Sequence, residues 1–482
     1  VTTYYIDPSS GTNGNGLSES TPFNTWTAVT WAYGNKYLQK GGTTYLATIT
    51  ISPSVSATNK SDGLVVGSYG TGRAILDGQN TLASGILFDP AKQIQYTTIQ
   101  DFEVKNILPS GAGKGIDLYC YSNTGYNLIK NCYVHHCGLH CIYINKAWAK
   151  IQNCILEYAG DDCVYVDTDV GVVFPVEITD CTIRYPSQRL SSGDCIQIIE
   201  DDFSYIYIAR NMFVSNGTVK QCVMISATGN TPVVVEYNTF DCESLGRAGV
   251  SCSVAKLYIV RGNIFKNINS PTSANAVNAY DSPAEMSAYT GPEVSYIYGN
   301  LFINCAQAIG CSGTNTVPAR KKLYISDNTI INSNIGMRLY GNADVYMYNN
   351  IIGTNGVNGP DGAAGAIYVQ SSINLLTEDK NCIYPEYSGV IKDYRPNINA
   401  TFNTVSSYLA HANVPDSDSF SSDPLLGANY APAVGSPCLS TGVKWWSNAR
   451  PFDVNGEPYP NVDIDIGAIQ STTNSFHPSN IK

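Results

Sequence analysis

Acidic side chains crowd one stretch of this chain, between His135 and Arg247. The run Ala159-Gly160-Asp161-Asp162-Cys163-Val164 is followed about thirty residues on by Ser192-Gly193-Asp194-Cys195-Ile196. If the two runs align on neighbouring parallel strands, Asp162 and Asp194 sit side by side at the interstrand spacing of ~4.8 Å, with Asp161 at the preceding turn. Adjacent carboxylates do not both ionise cheaply, so one becomes a proton donor beside an ionised partner. That is the equipment for cleaving a glycosidic bond, and Asp161, Asp162 and Asp194 are the candidate catalytic residues. Gly-Asp and Ser-Gly-Asp also cap turns without any chemistry, and that reading stands beside the catalytic one.

Other residue types suited to a site lie nearby. His140 aligns one repeat before Asp162 and could bind substrate or adjust a carboxyl. Tyr143, Trp148 and Tyr165 could stack on sugar rings, and Asp167 closes the strand that follows Asp162. Arg184, Arg189, Lys220 and Arg247 could neutralise an acidic sugar, and Lys220 and Arg247 join the substrate-binding set. Glu200-Asp201-Asp202 has the composition of a calcium loop but reads more simply as a solvated acidic turn. Cys132, His135, His136, Cys137, His140 and Cys141 include zinc-ligand types, yet repeat spacing already accounts for the cysteines. No metal or cofactor is expected.

What must position these groups is a repeat. An apolar strand, then Asn or Asp, any residue, then an apolar or aromatic one recurs with its polar member at Asp101, Asn131, Asn153, Asp180, Asn211, Asn238, Asn263, Asn300, Asn328, Asn350 and Asn381. Asn tolerates left-handed backbone angles, and its amide can bond the equivalent Asn above and below. The residue two further on, from Glu103 and Tyr133 to Phe265 and Ile383, is expected to point inward. A second strand follows in the central repeats, at 140–145, 162–167, 194–199 and 221–226. With Ile142, Ile144, Val164 and Val166 inward, strict alternation would send Cys141, Cys163, Cys195 and Cys222 outward. The fold implied is all-β: a right-handed parallel β-helix solenoid of about a dozen coils. Residues 1–100 would form an N-terminal cap with the first coils and a short helix near 27–33. Residues 101–385 would form the central coils carrying the groove, and 386–482 a closing segment.

Composition agrees. At 482 residues a single compact core is too long, but a solenoid grows along one axis. Charged residues make up only 14%, and 34 Tyr with 42 Gly suit short strands and turns. A net charge of −11 argues against nucleic acid or an acidic membrane as partner, and no apolar run is long enough for membrane insertion. Fifteen Cys, an odd number placed by the repeat, suggest buried reduced thiols.

The Asp161-Asp162-Cys163-Val164 run, in a β-helix, resembles the Asp-Asp-Cys-Ile element of the polygalacturonase family of glycoside hydrolases. The resemblance implies paired-aspartate roles for Asp161 and Asp162. Where that family has Asn-Thr-Asp, Gly-His-Gly and Arg-Ile-Lys, this chain has Gly138-Leu139-His140, Ser192-Gly193-Asp194 and Lys220-Gln221. Over its whole length the chain resembles pectin-lyase-like β-helix enzymes, and the bacteriophage tailspike depolymerases among them in particular. That implies a polysaccharide substrate of capsule or lipopolysaccharide type, a homotrimer, and a place on a virion tail, with secretion the alternative. Three activities stay open: an endo-acting glycoside hydrolase, a polysaccharide lyase of the same fold, and a non-catalytic carbohydrate-binding spike.

Overall fold

The computed structural model describes residues 1–471 except 55–62, 120–125, 168–173, 190–192, 200–202, 216–220, 227–230, 244–247, 254, 256, 270–274, 281–293, 313–320, 342, 355–364, 371–372, 386–390, 396–397, 412–417, 447–452 and 461–463. They form two units, 1–227 and 228–482.

The N-terminal unit is a parallel β-solenoid. Each coil lays down three short strands, and each strand pairs in parallel with its counterpart one coil on. One coil shows the plan: Trp148–Gln152 on the first sheet, Ile155–Ala159 on the second and Val164–Asp167 on the third. Alternation within these strands buries Ile151, Leu156, Val164 and Val166 inside the coil, where they stack on Ile129, Val134, Ile142 and Ile144 of the coil before. The first coil is covered by Trp26 and Trp31, stacked at 5.7 Å, with the Trp26 indole donating to Gln39 at 2.7 Å. The helix expected near 27–33 is only a 3₁₀ turn, Trp26–Ala28, because Thr25 caps it and extended Val29 ends it at once.

The C-terminal unit repeats the plan, with six or seven described strands on each sheet. Phe240, Phe265 and Phe302 stack inside at 4.7 and 4.9 Å. A short antiparallel strand, Ala400–Phe402, and the helix Val405–Leu409 close the last coil, where the Tyr408 hydroxyl donates to buried Glu378 at 3.0 Å. The closing segment then lies along the second sheet: Phe420 bridges Cys382, and the Ala468 amide donates to Thr329 Oγ1 at 2.9 Å.

The repeat read from sequence merges two positions that the structure separates. The left-handed turn residue is Asp101, Asn131, Asn153 and Asp180 in the early coils, but Arg210, Tyr237, Gly262, Gly299, Asp327, Asn349 and Lys380 later. Asn238, Asn263, Asn300, Asn328, Asn350 and Asn381 come one residue after that turn and are buried. Their early-coil equivalents are Cys132, Cys154 and Cys181. A slip of one residue exchanges the faces of a strand. Hence Glu103, Tyr133, Ile155 and Thr182 point outward, against expectation, while Phe213, Phe240, Phe265, Phe302, Ile330, Ile352 and Ile383 point inward as expected.

Cys141, Cys163, Cys195 and Cys222 also correct the expectation, for all four are fully buried. They precede their strands at the corner between the second and third sheets, where the chain bends and alternation fails. Cys141 and Ile142 therefore both face inward. The 14 described cysteines are all buried and none forms a disulfide. No described helix is long and apolar enough to cross a membrane.

Candidate functional site

The third sheet of the N-terminal unit positions the residues singled out from sequence. Ile142 pairs with Val164, and Val164 with Ile196, so two residues earlier His140, Asp162 and Asp194 fall into one column. The backbone fixes that alignment at the corner: the Cys163 amide donates to the Asp194 carbonyl at 3.1 Å. Glycine is required here because the coils nearly touch. A Cβ on Gly160 would lie 2.1 Å from the Gly138 carbonyl oxygen, and one on Gly193 would lie 2.3 Å from that of Asp161.

Asp162 and Asp194 are neighbours, as the spacing predicts, but both are buried, at 0% and 1% exposure. Asp162 Oδ1 accepts the Asp194 amide at 2.7 Å, and Asp194 Oδ1 accepts the Gln221 amide at 2.7 Å. Each carboxyl thus caps the backbone of the next coil. Burial, then the charge of Asp161, pushes the Asp162 carboxyl up to about 9, and the hydrogen bond from Asp194 only partly offsets this. His140 Nδ1 lies 3.4 Å from Asp162 Oδ2. Burial and the nearby Lys114 charge bring His140 down to about 3, so its ring is neutral. With its amide nitrogen turned inward, Gln197 reaches both Asp162 oxygens at 3.3 Å. The result is a buried knot of a protonated acid and a neutral imidazole, covered by the Gln197 amide.

Above the knot runs an outward column formed by Asp117, Tyr143, Tyr165 and Gln197. The rings of Tyr143 and Tyr165 stack at 5.7 Å, and His140 stacks on Tyr165 at 4.7 Å. Lys114 Nζ lies 3.6 Å above the Tyr143 ring centre and 3.4 Å from Asp117 Oδ2. Burial raises the Asp117 carboxyl, and the Lys114 charge opposes it. Asn145 donates to Asp167 at 3.1 Å in the next outward column. Burial, then the Asp167 charge, lifts the Tyr143 phenol to about 12. Tyr143, Tyr165, Asp161, Asp167 and Gln197 are half-buried and open to solvent on one side.

The structure therefore brings Asp161, Asp162, Asp194, His140, Tyr143, Tyr165 and Asp167 together. Trp148 lies elsewhere: it begins a first-sheet strand and packs edge-on against Tyr126 at 5.1 Å. Arg184 is on the second sheet, bound to the buried carboxylate of Glu157, which also accepts the Tyr133 hydroxyl at 2.5 Å. Arg189 folds back so that its Nε donates to the Gly138 carbonyl at 3.2 Å. Lys220, Arg247 and the Glu200-Asp201-Asp202 triplet lie outside the described residues. Among the described residues no cluster of three or more His, Cys, Asp or Glu is arranged to hold a metal ion. Lys114, Asp117, Asn145 and Gln197 were missed. Extending the strand alignment one coil earlier, to Lys114–Tyr119, would have found the first two.

No protein-family profile matches the chain. No curated protein matches it either. Solved structures resemble it at low identity. The protein XylC, solved with xylose, is 10% identical with a TM-score of 0.49, over 88% of this chain and 87% of that one. The catalytic domain of a GH87 α-1,3-glucanase with tetrasaccharides is 12% identical with a TM-score of 0.48, over 78% and 68%. A pectate lyase is 14% identical with a TM-score of 0.38, over 98% and 97%.

Proposed function

We propose that the protein is an endo-acting polysaccharide depolymerase, a glycoside hydrolase whose substrate chain lies along the third sheet of the N-terminal unit. The observation that carries this reading is the set of carboxyls around two stacked tyrosines. Asp117 and Asp167 belong to outward columns and both act electrostatically on Tyr143. Asp117, raised by burial, suits the general acid, and Asp167, open to solvent, suits the base or nucleophile. Tyr143 and Tyr165 supply apolar ring surface for a sugar, and Asp161 lies at the rim. Asp162 and Asp194, buried beneath, act as positioning residues that hold Gln197, His140 and the corner backbone in place.

Single Asp117→Asn and Asp167→Asn variants test the roles on a panel of capsular, lipopolysaccharide and plant polymers. Each should lower kcat by about a hundredfold or more. Asp162→Asn should act less strongly and alter the pH profile. Near-normal activity in both outward variants would remove the assignment.

The second reading, a lyase, is favoured by Lys114, whose ammonium beside Asp117 and Tyr143 could neutralise an acidic sugar. A phenol at about 12 serves there better as acid than as base. A product absorbing as an unsaturated uronate identifies the lyase, and the absence of any new reducing ends identifies a binding spike. The trimer and the tail placement belong to this same proposal. A solution mass near the 52.0 kDa of one chain would exclude the trimer.

A further inference from the structure

Two thiols of the C-terminal unit stand apart from the other cysteines. Seven of the 14 described cysteines stack on equivalents in neighbouring coils, in the columns of Cys132 and of Cys141. Cys382 instead begins a strand of the last second-sheet coil, Cys382–Pro385, and meets Cys438, which belongs to the closing segment. Both are fully buried, in one apolar cluster with Ile351 and Ile466. The segment around them is joined to the coils at separate points, such as the Phe420 amide to the Asn381 carbonyl and the Gly467 amide to the Asn349 carbonyl, both at 2.9 Å. The Ile466 amide donates to the Cys438 carbonyl at 2.9 Å, and Cys382 Sγ donates to the Ser422 carbonyl at 3.3 Å.

We infer that Cys382 and Cys438 are the two halves of a disulfide clasp, which locks the closing segment onto the last coils when the chain folds in a thiol–disulfide buffer. Cys382 and Cys438 pack within the same four-residue cluster, and each acts on the other's titration, holding Cys438 down and Cys382 up. Both sulfurs are fully buried once the segment has docked, so oxidation precedes burial, and the first thiolate to form, taken as Cys438, attacks while the other resolves. The oxidant is a low-molecular-weight disulfide such as oxidised glutathione. The Cys438 thiolate attacks one of its sulfurs and releases one thiolate, giving a mixed disulfide. Cys382, losing its proton, then displaces the second thiolate. Two protein thiols are oxidised and one small disulfide is reduced to two thiols, so electrons and protons balance. The partners are 56 positions apart in the chain, so the bond would close a long loop and constrain the unfolded state. Columns such as Cys132 and Cys154 already have strand pairing to hold their coils together, and gain less from a bond.

The test is to fold the full chain in a glutathione redox buffer, block remaining thiols with an alkylating reagent under denaturing conditions, and map the unreduced peptides by mass spectrometry. The expected result is one disulfide, Cys382 to Cys438, with all but two of the 15 thiols alkylated. The thermal midpoint should stand roughly 5 °C or more above that of the reduced protein. Cys438→Ser should abolish that difference and Cys154→Ser should keep it. Full alkylation of both cysteines in the wild-type protein, or a bond to any other cysteine, overturns the proposal without needing a variant. A bond that forms but leaves the midpoint unchanged overturns the clasp.

Discussion

The interior position just after the left-handed turn is filled differently in the two units. In the C-terminal unit it is Asn, and each amide is fully used. Asn300 Nδ2 donates to Asn328 Oδ1 at 3.1 Å and to the Val260 carbonyl at 2.9 Å, while its Oδ1 accepts the backbone and side-chain nitrogens of Asn263, both at 3.0 Å. The ladder ends on Ser419 of the closing segment. In three coils of the N-terminal unit the position is Cys, at Cys132, Cys154 and Cys181, and its bonds are long and weak: Cys154 Sγ lies 3.8 Å from the Ile129 carbonyl, and the Cys154 amide 3.4 Å from Cys181 Sγ. A sulfur there behaves as a small apolar filler that asks for no polar partner. An Asn asks for a complete set. Coils locked by amides depend on every rung, whereas coils filled by thiols rely on apolar stacking, and the candidate site sits among the latter.

Breaking a rung should have the largest effect. Asn300→Ala removes one amide and strands the buried backbone N–H of Asn263, at a cost of about 3 kcal/mol or more in urea unfolding. A loss under 1 kcal/mol would mean that the ladder is ornamental.

The second test uses pH and belongs to the N-terminal unit. Asp162 has its folded value raised from 3.8 to about 9, so the folded state binds the proton more tightly, and stability falls as pH rises across that window. His140 is lowered from 6.5 to about 3, so its contribution is lost as pH falls across that window. Between about pH 6.5 and 9 the Asp162 effect remains, joined up to about pH 8 by that of buried Asp327, and unfolding midpoints should decline there. Asp162→Asn should flatten the decline. A decline of equal slope in the variant would assign it to other groups.

Cys154→Ala should cost only about 1 kcal/mol, the loss of a small apolar contact. The smallest effect is the sharpest. Asn211 already occupies the equivalent position beside Cys181, its Oδ1 accepting the Cys181 amide at 2.9 Å and its Nδ2 donating to the Ile178 carbonyl at 2.9 Å. Cys181→Asn would extend the ladder by one rung and should change stability by less than about 1 kcal/mol. Cys132→Asn, with no Asn neighbour, should be worse. If the two substitutions cost the same, the neighbour does not matter.

The sequence by itself determined the solenoid, because a repeat that returns Asn or Asp and an apolar pair every 22 to 37 residues allows stacked coils and little else. It also determined that Asp162 and Asp194 are neighbours, because each opens the same Asp-Cys-apolar run into a third-sheet strand in consecutive coils. Only the tertiary structure decided which way these side chains face. Faces alternate with a period of two, so the one-residue offset between the turn position and the amide ladder was enough to invert Glu103, Tyr133, Ile155 and Thr182. At the corner the period fails, and there the chain's bend, which no local pattern records, turned Cys141 and Cys163 inward and buried Asp162 and Asp194, while Asp117 and Asp167, inside their strands, keep the outward places that alternation assigns.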